Sequence, residues 1–145
     1  MTRRVSRRLS VMLVATSLAA IVIVVAVTAI VVIAVLGLAA RHADRWNTFG
    51  GFGINPEEAV RGGREDNARL DELCAETGRT VRRSALIGYP FNGETPWRSD
   101  EAFADVVGRW EDAGFEELVF YYPPEWATPE GSVEPGVFER MLGKG

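Results

Sequence analysis

The sequence predicts an α/β tail of alternating strands and helices behind one membrane-spanning helix. Three observations carry that reading. Leu9 to Ala40 contains no charged residue, whereas all 20 acidic residues lie beyond it. Past residue 40, short β-branched and aromatic runs alternate with segments of helical apolar spacing. Glycine, proline and capping residues punctuate the boundaries between them.

The averages, 47% apolar and 25% charged, would suit an ordinary soluble domain. They conceal two segments of opposite charge. The head holds Arg3, Arg4, Arg7 and Arg8 and no acid, and the tail carries a net −8. An acidic tail is poorly suited to nucleic acid, so no nucleic-acid partner is expected. A single cysteine excludes a disulfide framework and a cysteine-based zinc site, and no metal centre is expected. The organisation is a basic flank over 1–8, a transmembrane helix over 9–40 and a folded tail over 41–145.

Within the head, Val11 to Leu36 exceeds the roughly 20 apolar residues that a helix needs to cross a hydrocarbon core of about 30 Å. Thr16, Ser17 and Thr28 can bond back to their own helix. The Val- and Ile-rich centre would suit a strand in water, but an open strand in lipid leaves its backbone groups unpaired. The arginines before the span place the N-terminus in the cytoplasm and the tail across the membrane, a single-pass location. Two other readings stand beside this one. A cleavable signal peptide would share the basic start and the small residues of Gly37 to Ala40, but its apolar core runs only about 7–15 residues. A buried helix of a soluble protein would need a larger partner than this tail.

The tail opens with a strand over Arg45–Phe49, broken by Gly50 to Gly53. Asn55-Pro56-Glu57-Glu58 starts a helix: Asn55 can cap it, Pro56 suits its first position, and Glu58 sits three after the cap. The helix runs to about Thr77, with Leu70, Leu73, Cys74 and Thr77 as its apolar stripe and Gly78 as a left-handed stop. Gly62 and Gly63 inside it each cost roughly 1 kcal/mol relative to Ala. A second strand covers Thr80–Gly88, followed by a polar, proline-containing loop from Tyr89 to Arg98. Ser99 caps a second helix with Asp100 and Glu101 in its first turn. Phe103, Val106, Val107, Trp110 and Ala113 form its face, and Gly114 ends it. Glu117–Tyr122 is a third strand, stopped by Pro123-Pro124. A short last helix holds Val137, Phe138, Met141 and Leu142. This βαβαβα order predicts parallel strands.

Four stretches of the tail resemble a known family. They are Leu38 to Gly51, Arg64 to Arg79, Arg82 to Phe91 and Glu101 to Pro123. The Ala-Asp-x-Trp-Asn element at 43–47, the Glu-x-Gly-Arg helix end at 76–79 and the Ala-Gly-Phe-x-Glu turn at 113–117 occur in one order and spacing. Together they look like the C-terminal part of the luciferase-like monooxygenases, which are TIM-barrel oxidoreductases using reduced flavin or a deazaflavin coenzyme. The resemblance implies an α/β fold class: a partial (β/α)8 TIM barrel of about the last three βα units, preceded by the transmembrane helix. A closed barrel needs about 200 residues or more, so this chain cannot complete one.

The resemblance places the candidate site at the C-terminal ends of the strands. The loops reaching it hold Trp46, Asn47, Thr48 and Phe49, then Tyr89, Pro90 and Phe91, then Tyr121 and Tyr122. Aromatic walls suit a planar isoalloxazine or an apolar substrate, and the same residues also read as core and rim packing. Asn47 is the one polar candidate. Gly50 to Gly53 reads as a loop rather than a phosphate cradle, because Glu57 and Glu58 occupy the helix start behind it. Cys74 reads as a small buried hydrophobe, and His42 as an interfacial residue. Arg83 is a candidate buried ion-pair partner, and no catalytic residue is assigned.

As to function, the resemblance implies a flavin- or deazaflavin-dependent oxidoreductase of monooxygenase type, from a family that is itself cytoplasmic. FMN or a deazaflavin coenzyme serves the family, but the truncated chain is expected to hold neither and to be inactive alone. Partners implied are the membrane and, for completion, a homo-oligomer or a complementing barrel chain. Two alternatives remain: a membrane-anchored interaction module using an open sheet, and a non-functional gene fragment.

Overall fold

The computed structural model describes residues 20–24, 26–27, 30–50, 55–89, 91–122 and 130–143. The chain divides into two compact units, residues 1–37 and 38–145. In the first, the described residues are helical, and Ile21, Val22, Ile23, Val27, Ile30 and Val31 are exposed. Among the described residues no helix is long and apolar enough to cross a membrane. This corrects the transmembrane helix expected over 9–40, and with it the single-pass location and the membrane as partner. Within the second unit, Ala39 and Ala40 are buried, and the Ala40 carbonyl accepts a hydrogen bond from the Thr77 hydroxyl at 3.4 Å. The flank 1–8 and residues 9–19, 25, 28 and 29 of the expected span lie outside the described residues.

The second unit is a small α/β domain on a three-stranded parallel sheet in the order β1 (Arg45–Thr48), β2 (Arg82–Ile87), β3 (Glu117–Phe120). That replaces the partial barrel behind a membrane helix as the fold class. Closing a barrel demands a consistent tilt and stagger around all its strands; three short strands leave an open sheet with edges at β1 and β3. Nor does the structure lend support to the homo-oligomer or the complementing barrel chain.

Helix α1 (Pro56–Thr77) begins where Asn55 Oδ1 accepts from the Glu58 N–H at 2.9 Å. It ends at Gly78, whose φ of 64° is the left-handed stop. Helix α2 (Asp100–Asp112) is capped by Ser99 Oγ, which accepts from the Ala102 N–H at 3.1 Å. The Glu101 carboxyl in its first turn is held below the usual carboxylate range by a backbone N–H and then by the Ser99 side chain. Helix α3 (Pro135–Leu142) closes the described chain.

Both long helices lie on one face of the sheet. Ala85 and Ile87 of β2, with Leu118 and Phe120 of β3, meet Ala59 and Val60 of α1, Val106 and Trp110 of α2, and Ala113 just past its end. Each large apolar side chain buried there contributes about 1.5–3 kcal/mol. Arg83 also points to the helix side, where its guanidinium is paired with Asp71 and lies 3.7 Å from Glu116.

The buried stripe of α1 differs from the expected one. It runs through Val60, Gly63, Asn67, Leu70 and Cys74, while Leu73 is half-buried and Thr77 exposed. Gly63 is a packing requirement: a Cβ there would stand 2.9 Å from the Phe115 ring and 3.3 Å from Trp110. Asn67 ties the helices together, its Nδ2 donating to the Ala113 carbonyl at 3.0 Å.

The loop between β2 and α2 holds the strongest polar interaction. Glu94 is only 2% exposed. Arg109 Nη1 and Nη2 donate to its two carboxylate oxygens, each at 2.8 Å, and Trp110 Nε1 donates to Oε1 at 3.0 Å. Asp105 Oδ2 accepts from Arg109 Nε at 2.8 Å. Glu94 first, and Asp105 with it, raise the guanidinium pKa further above its ordinary value. The same loop supplies Trp97, whose ring packs against Phe103, Phe120, Tyr122 and Phe138, joining α3 to α2 and β3.

Gly63→Ala is expected to lower stability by about 1–3 kcal/mol through overpacking. Gly62→Ala, where nothing stands within 4 Å, is expected to raise it by about 1 kcal/mol. Urea melts of the two variants distinguish these opposite signs. Glu94→Ala is expected to cost about 2–3 kcal/mol in the same assay, below the roughly 3–5 kcal/mol of a fully buried pair because Arg109 reaches water. Burial raises the Asp66 carboxyl, with Arg69 opposing and Glu65 adding to the shift. The folded chain therefore binds that proton more tightly than the unfolded one. The group's stabilisation is complete below its unfolded pKa of about 3.9 and is lost as pH rises through the folded value. Asp66→Asn is thus expected to raise the melting temperature at pH 7, with the gain shrinking toward pH 4.

Candidate functional site

Parallel register sets the two faces of the sheet apart. Asn47 pairs with Ser84 and Ser84 with Glu117, so these side chains share the face opposite α1 and α2, together with Leu86 and Val119. The Arg45–Glu117 ion pair, at 3.1 Å, spans this face from β1 to β3 over β2. One step toward the C-terminal ends, Asn47 Nδ2 donates to Ser84 Oγ at 2.9 Å. Val119, next to Leu86, is 42% exposed.

Beyond the strand ends the face turns aromatic. Phe49 and Phe91 lie 6.0 Å apart between centroids, and Phe91 meets Tyr121 edge-on at 5.4 Å. All three rings are half-buried. Phe91 is held there by a tight loop. The Phe91 N–H donates to the Gly88 carbonyl at 2.9 Å. The buried Asn92 side chain accepts from the Gly88 N–H and donates to the Leu86 carbonyl, both at 3.1 Å. Gly88 adopts a φ of 140°, and a Cβ on it would stand 3.1 Å from the Tyr121 carbonyl oxygen. That oxygen also accepts from Trp97 Nε1 at 2.8 Å.

The expected site residues thus divide. Phe49, Phe91 and Tyr121 cluster at the strand ends, and Asn47 lies on the same face two residues before Phe49, level with Ser84. Trp46 pairs with Arg83 and points to the opposite, helix-covered face, where its indole nitrogen is buried with no hydrogen-bond partner among the described residues. Tyr122 joins the other aromatic cluster, 5.5 Å from Trp97 and 4.8 Å from Phe138. Tyr89 is 37% exposed in the β2–α2 loop. Pro90 and the remainder of the glycine-rich loop, 51–54, lie outside the described residues. Sequence reading missed Ser84, Asn92 and Glu94. Only the parity of Ser84 with Asn47 along two parallel strands could have found the first.

A second concavity of about 590 Å³ lies beside Asn55, Pro56, Glu57, Asp105 and Arg109. Asn55 there caps α1, and Arg109 is engaged with Glu94 and Asp105. Among the described residues no group of three or more His, Cys, Asp or Glu could hold a metal ion. Chemically, the strand-end cluster offers stacking surface for a flat ring and one exposed carboxamide.

Gly88→Ala would meet both the φ strain and the Tyr121 backbone, and is expected to cost about 1–3 kcal/mol in a urea melt and to shift tyrosine near-UV dichroism. Comparison with models of protein families, with curated proteins and with solved structures gave no match.

Proposed function

We propose that this chain is a luciferase-like oxidoreductase domain whose strand-end face receives the flat ring of a flavin or deazaflavin coenzyme, and which does not turn over substrate alone. The observation that carries the reading is the Phe49–Phe91–Tyr121 cluster, with Asn47 two residues before Phe49 on the same face, within the stretches whose motifs resemble that family. The residues present fit the ring portion: half-buried aromatic side chains give stacking area, and the Asn47 carboxamide can orient a ring edge. When bound, such a coenzyme would supply reducing equivalents, and the chain's own residues would stack against it and set its orientation.

Inactivity alone follows from the open face. Small-molecule sites ordinarily bury some 70–90% of their ligand. A ring resting on one sheet face keeps its other side in water, so binding is weak and solvent is not excluded from the reacting atoms.

Titrating the protein against FMN and against a deazaflavin is expected to give saturable fluorescence quenching with a Kd of about 1 mM, equivalent to roughly −4 kcal/mol. Phe91→Ala, with its fold verified by far-UV dichroism, is expected to weaken it about five-fold. Absence of saturable quenching would overturn the ring-binding reading. Micromolar affinity accompanied by coenzyme oxidation would overturn the claim of inactivity alone.

A further inference from the structure

We draw no further inference here: the strongest candidate, the open face of the three-stranded sheet where Leu86 and the exposed Val119 lie beside the strand-end aromatic cluster, carries nothing because nothing in the structure shows what covers it.

Discussion

The Glu94 carboxylate is the point on which the two ends of the domain depend. A carboxylate removed from water is tolerated only when it is paired and its lone pairs are filled. Here two guanidinium N–H groups and one indole N–H fill them, all from consecutive residues of α2. The loop leaving β2 is therefore clamped to a helix that begins six residues after Glu94, at Asp100. With Glu94 fixed on one side and Asn92 bonded back to Leu86 and Gly88 on the other, Phe91 has little freedom. The aromatic cluster at the strand ends thus inherits its geometry from an interaction on the helix-covered side of the sheet.

The second constraint is asymmetry of burial. Parallel sheets usually have both faces covered by crossover helices. In this domain α1 and α2 cover one face with apolar contacts, while the other carries an ion pair, an amide–hydroxyl bond, two aliphatic side chains and then aromatic rings. The covered face needs close approach, which is why Gly63 sits beneath Phe115 and Trp110 and why a helix-weakening residue persists in the middle of α1. A membrane span would spend the residues before β1 on lipid. Instead Ala39 and Ala40, small residues just before that strand, are buried within the same domain, and the Thr77 hydroxyl of α1 donates to the Ala40 carbonyl.

Local signals in the sequence were legible where the physics is local. The Asn55 and Ser99 caps and the Gly78 stop stand where their side-chain chemistry and backbone freedom place them. Strand positions followed from β-branched and aromatic runs, with β1 and β3 each shorter at the C-terminal end than expected. Features that depend on distant partners were not legible. Gly63 reads as a defect until Phe115 is brought over it, and Asn67 as a polar interruption until it reaches Ala113. Glu94 looks like one more acid in a polar loop, because nothing near it in sequence announces Arg109 and Trp110. The apolar head misled for the opposite reason. Hydropathy measures what a segment could do in lipid, whereas among the described residues no helix is long and apolar enough to cross a membrane. Of the site, the aromatic residues were visible, but their division between two faces required the register: Trp46 and Asn47 are neighbours in sequence and point to opposite sides.

The open face has a polarity gradient that bears on what it can hold. At the N-terminal ends of the strands, Arg45 and Glu117 satisfy each other across β2, so neither offers an uncompensated charge to a ligand. Asn47 and Ser84 come next, sharing a hydrogen bond that still leaves the carboxamide exposed. Leu86 and Val119 follow, and the rings of Phe49, Phe91 and Tyr121 lie beyond. On the proposed reading, a flat, weakly polar ring would gain dispersion and edge-to-face contact at the aromatic end. On that reading the face would set orientation more strongly than affinity. The tilted and edge-on rings would fix how a bound ring lies, while a single covered side would limit the energy available to keep it there.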